Sequence, residues 1–202
     1  MKTLAKVEQL LTDRWGMFSS IGNARSNGSI PYMKNGLAFN FFFSPVAISE
    51  VEKQYGCTLP VELRELYSAC NGLRLFLSGL SIFGIQSRKE TMEPFSITTE
   101  NYNIHARMRE HTCDNQRLVF IGSVGKDAVF AFNQDLPNSY ICMKNGYSDI
   151  LLTFQCLDEL LQFFVPKIMD IYNDDFKKKC PNEKYKGTPV LENSLLSIDE
   201  IL

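Results

Sequence analysis

Histidine, tryptophan and net charge are all scarce in this chain: two His, one Trp and a formal charge of −2 over 202 residues, from 21 Lys+Arg against 23 Asp+Glu. The near-balance argues against polyanion binding by bulk charge, because neutralising many phosphates takes a basic surface, and nucleic acid is therefore an unlikely partner. Long apolar runs are missing too. The richest, ILLTFQCLDELLQFFV (150–165), carries Asp158 and Glu159 at its middle and falls short of the roughly 18–20 apolar residues of a membrane helix. Near the start, Lys6, Glu8, Asp13 and Arg14 interrupt any apolar stretch of signal-peptide length, so a cytoplasmic home is expected. The six cysteines (57, 70, 113, 142, 156 and 180) include no CxxC pair and are expected to be reduced and structural. Core material is abundant, with 45% hydrophobic residues, 15 Phe and 8 Tyr. That excludes global disorder and suffices for one substantial domain with an appendage.

Leu4, Val7, Leu10 and Leu11 recur at helical spacing over 2–14. Residues 16–36 read as loop with short extended pieces, and AFNFFF (38–43) as a buried strand or anchor before Ser44-Pro45. A helix over 45–55 follows, with Ser49 and Glu52 in capping-box relation and Gly56 as its stop. A second helix opens at Thr58-Leu-Pro, with Pro60 in its first turn, and ends at Asn71-Gly72. Apolar runs at 73–85, 117–122, 128–133, 139–144 and 150–154 read as strands, with a helix expected at about 100–111 between the first two. A helix over 156–172 contains Pro166, and Ser197 with Glu200 caps a short terminal helix. Helices, then turn-linked strands, then a helix predict an α+β fold: a largely antiparallel sheet with helices packed on one face. The expected organisation is an N-terminal helix and arm (1–44) packed on the main body, a main domain (45–173), and a charged C-terminal extension (174–202).

Candidates for chemistry fare poorly. GSVGKD (122–127) has two residues before its Gly-Lys where a P-loop has four, and lacks the following Ser/Thr, so a β-hairpin turn is expected. His105, His111 and Cys113 show no familiar zinc spacing, and a six-residue offset separates the histidines around a helix axis. The carboxylate pairs Glu62/Glu65 and Asp158/Glu159 read as solvated helix faces, and Lys177–Lys179 as a solvated helix end. No catalytic constellation, metal site or cofactor motif is expected.

The stretch AISEVEKQYGCTLPVELRELYSACNGLRLFLSGLSIFGI (47–85) resembles the start of the SUKH superfamily, which includes fungal cell-wall-synthesis regulators and many bacterial toxin-immunity proteins. The pattern's positions are filled by Ile48, Glu52, Gly56, Leu59, Pro60, Asn71 and Gly72. RLVFIGSVGKDAVFAFNQD (117–135) and ILLTFQCLDELLQFF (150–164) are similar to the superfamily's hairpin and to its closing strand and helix, so the resemblance spans roughly 45–172. One departure is Lys126-Asp127 after Gly125, where relatives often show a further glycine before the acid. Physically these motif residues have structural tasks: Glu52 to cap or bond backbone donors of the following turn, Pro60 to fix a helix start, Gly56 and Asn71-Gly72 to supply turn conformations.

The resemblance implies a non-catalytic protein that binds and neutralises a polymorphic bacterial toxin, often a nuclease, encoded nearby. Acidic residues near predicted strand ends would suit a basic partner, which makes Asp127, Asp135 and Asp149 candidate contacts. Two other readings stand beside it. One is a general interaction scaffold or regulator that docks through 174–202; the other, a small-molecule or enzymatic domain, needs a polar pocket the sequence does not announce. A homodimer is compatible with the tail, as is self-packing.

Overall fold

The computed structural model describes residues 2–15, 29–34, 37–42, 48–55, 57–70, 72–76, 79–83, 112–113, 116–136, 138–144, 150–180 and 196–202. Five helices are described: α1 (Lys2–Trp15), α2 (Ile48–Tyr55), α3 (Val61–Ala69), α4 (Leu157–Ile171) and α5 (Ile198–Ile201). The strands are β1 (Ser29–Lys34), β2 (Leu37–Phe42), β3 (Leu73–Leu75), β4 (Leu80–Ile82), β5 (Thr112–Cys113), β6 (Gln116–Val124), β7 (Ala128–Asn133), β8 (Tyr140–Lys144) and β9 (Ile150–Phe154). They form one sheet in the order β1-β2-β3-β4-β6-β7-β8-β9, with β5 on β6, and every pairing is antiparallel. This is the α+β arrangement that the element order predicts.

The centre of the sheet shows why its strands read as apolar runs. In β7 the residues Ala128, Phe130 and Phe132 join the main core, while Val129 and Ala131 join a second cluster with Leu118, Phe120, Ile141 and Met143. Alternate side chains point to opposite faces of a strand, and here both faces are buried, so alternation of polarity disappears. The main core lies on the helical face. Leu157, Leu160, Leu161, Phe164, Val165 and Ile168 of α4 enter it with Leu63, Leu66 and Tyr67 of α3 and Val7 and Leu11 of α1. Phe164 sits 5.3 Å from Phe130 and 5.8 Å from Phe154, ring centre to ring centre, which seats α4 across β7 and β9. The helix runs unbroken through Pro166.

Several boundaries differ from expectation for local reasons. The run at 73–85 is a hairpin of two three-residue strands, turned at Phe76 (φ 55), whose ring is wholly buried against Tyr172 and Trp15. β6 bulges between Phe120 and Gly122, and a Cβ on Gly122 would collide with the carbonyl oxygen of Ser81 on β4, so glycine allows the strands to close. β1 supplies an extended piece of the 16–36 stretch, and β2 starts one residue before the expected 38. The helix expected at 100–111 lies outside the described residues, and so do 45–47 at the start of the expected second helix. No helix among the described residues is long and apolar enough to cross a membrane.

Candidate functional site

The β6–β7 turn is a hairpin, as expected for GSVGKD, and it anchors the end of the chain. Gly125 takes φ +60, a conformation that favours glycine, and its N–H donates to the Gly79 carbonyl at 2.9 Å. The Lys126 N–H donates to the Leu196 carbonyl at 2.9 Å, and the Ile198 N–H donates to Asp127 Oδ1 at 2.7 Å. That carboxylate satisfies an amide at the start of α5 that has no partner within the helix. Ser197 and Glu200 complete the capping box that their spacing predicts. Leu196, Ile198 and Ile201 are buried in the main core. The described end of the C-terminal extension therefore packs on its own domain.

Lys178 reinforces this docking. Its side chain is only 3% exposed and its ammonium pairs with Glu200, so the expected solvated end at Lys177–Lys179 is corrected for its middle residue. A buried ammonium requires a charged partner, and the terminal helix supplies it. Burial works to raise the Glu200 pKa, but hydrogen bonds from Lys178 and the Ser197 N–H outweigh it, and the carboxyl ends below its ordinary value. Lys144 pairs with Asp199 at 3.3 Å on the same segment.

Asp135 sits at the other end of β7. It receives hydrogen bonds from Arg117 Nε at 3.0 Å and Nη2 at 2.7 Å, and from the Arg117 N–H at 3.2 Å. These bonds hold its pKa below the usual carboxylate range and leave the pair at the surface. Asp149 lies outside the described residues. Asp127 precedes the first residue of β7 and Asp135 follows its last. At about 3.3 Å per residue the six-residue strand sets them roughly 20 Å apart. The fold does not gather Asp127 and Asp135 into one patch.

Of the carboxylates expected to face solvent, Glu62 and Asp158 are half-buried and hold α4, while Glu159 is exposed as expected and also caps the helix start. Glu62 Oε2 accepts the Leu157 N–H at 2.8 Å and the Tyr140 hydroxyl at 3.3 Å. Asp158 pairs with Lys6 of α1 at 2.7 Å, and Glu159 accepts the Gln155 N–H at 2.7 Å. Cys156 is the N-cap, its Sγ accepting the Glu159 N–H at 3.3 Å. Acidic groups here also complement the positive end of the helix dipole. Burial, then the Glu62 carboxylate, push the Tyr140 hydroxyl well above its ordinary pKa and keep it a donor. At the opposite end Arg14 donates to the carbonyl of Met169 (2.6 Å), which also accepts the Tyr172 N–H, and to that of the C-cap residue Tyr172 (2.7 Å). Arg14 carried no sequence signal, because its acceptors lie more than 150 residues away.

The motif residues occupy the helix-turn-helix beside this junction. Ile48 opens α2 half-buried, and Leu59 is buried. Glu52 Oε1 accepts the Leu59 N–H at 2.7 Å and pairs with Arg64 at 2.7 Å, so it serves the following turn, while Ser49 lies inside α2. Pro60 is the extended N-cap of α3 (φ −53, ψ 148), one position earlier than expected, with its carbonyl taking the Arg64 N–H. Gly72 has φ 93, which glycine tolerates. Gly56 and Asn71 lie outside the described residues.

The thiols of Cys57, Cys70 and Cys142 are free and buried, Cys156 is half-buried and Cys180 exposed. Burial pushes Cys142 up to about 12, and burial with the Glu52 carboxylate raises Cys57, so neither is an activated nucleophile. Among the described residues no three His, Cys, Asp or Glu side chains gather as metal ligands, and His105 and His111 lie outside them. The assembled groups cap helices, close turns and dock the chain's two ends.

No curated protein and no solved structure gives a significant match to this chain. A family model does: that of the SMI1 / KNR4 family (SUKH-1) matches residues 43–162. The match begins just after β2, takes in the Glu52 turn, the sheet from β3 to β9 and the first turns of α4, and covers more than half of the chain. The chain belongs to the SMI1 / KNR4 family (SUKH-1), within the SUKH superfamily.

Proposed function

We propose that this protein is a non-catalytic immunity protein that binds and neutralises a bacterial toxin domain encoded beside it, a nuclease being a suitable target. Family membership over 43–162 is the observation that carries the reading. The physical character of the scaffold supports it: helix ends, turns and the terminal segment are tied down by side chains, and a prearranged surface loses little entropy on binding. Asp135, exposed beside Arg117, and Asp149 are the acidic contacts assigned to a basic partner, while Asp127 holds the terminal segment to the β6–β7 turn.

The reading is tested by growth rescue. The chain is expressed with the C-terminal domain of the protein encoded immediately upstream, and rescue with a stoichiometric complex is expected. Charge reversal at Asp135 and Asp149 then lowers affinity and flattens its salt dependence. A toxic neighbour that is neither rescued nor bound rejects this pairing. A harmless neighbour, with no toxin recovered from native cells, would favour a general interaction protein of the same family.

A further inference from the structure

We draw no further inference here: the strongest candidate, the apolar cluster of Leu118, Phe120, Val129, Ala131, Ile141 and Met143 on the sheet face away from the helices, carries none, because nothing among the described residues shows what covers it.

Discussion

The carboxylate of Asp127 accepts a 2.7 Å hydrogen bond from the backbone N–H of Ile198, 71 residues later in the chain. One side chain in a hairpin turn thereby caps the last helix and fixes where the chain ends. The replacement Asp127→Ala leaves that amide without its charged acceptor and is expected to cost about 1–3 kcal/mol. Deleting 196–202 costs roughly 5 kcal/mol or more, since three aliphatic side chains are uncovered at about 1.5–3 kcal/mol each. Urea denaturation reads both. Limited proteolysis separates them from a general loosening: in the Asp127 variant the terminal segment is cut first. Equal stability of the parent and the deletion would show that the segment is not part of the fold.

Gly125 joins the same contact. A Cβ there would lie 2.8 Å from the Leu196 carbonyl oxygen, and φ +60 by itself costs an alanine about 1–2 kcal/mol. Gly125→Ala is therefore expected to destabilise by at least that amount and to release the terminal segment. Gly122→Ala has a larger effect, because its Cβ meets the backbone of β4 rather than a chain end. Thermal melting of the two variants checks the order.

The junction at the start of α4 rests on Glu62. Glu62→Ala removes the acceptor of both the Leu157 N–H and the Tyr140 hydroxyl, with an expected loss of about 1–3 kcal/mol. Tyr140→Phe alone costs less, since the Leu157 bond persists. The double variant should then fall short of the sum by about 0.5 kcal/mol or more, the signature of groups in contact. Strict additivity in urea melts would mean that the Tyr140–Glu62 bond contributes nothing.

Glu200 links stability to acid. Its folded pKa lies below the ordinary 4.5, so the folded state binds its proton less readily than the unfolded chain. The contribution is present above about 4.5 and is lost as pH falls through the lower, folded value. Its carboxylate is about two-fifths exposed, so solvent screens the gain, and a modest effect is expected. Glu200→Gln should lower the melting temperature near neutrality. The gap to the parent chain closes as the pH drops through that folded value. A gap that is constant with pH would assign the loss to packing rather than to the ion pair with Lys178.

What could be read along the chain was local in origin. The spacing of Ser197 and Glu200 announced their capping box because both partners lie within one turn. The Gly125 turn and the Glu52 bond to the Leu59 N–H were legible for the same reason. Glu62, Asp158, Lys178 and Arg14 were misread or unmarked. Each is an ordinary polar residue on a helix or in a charged stretch, and each is defined by a partner at least 22 residues away. Of the acidic candidates, Asp127 and Asp135 read alike as loop carboxylates, yet one caps a helix and the other pairs with Arg117 at the opposite end of β7.

Residue order by itself determined the element types, the antiparallel α+β class and the superfamily, because periodicity, turn chemistry and short caps are encoded within a few neighbouring residues. Only the tertiary structure decided which polar groups bind the molecule together and that the described C-terminal segment returns to the β6–β7 turn. Those outcomes depend on which distant segments the buried core brings side by side, and burial then turns a commonplace lysine or glutamate into one that must have a partner.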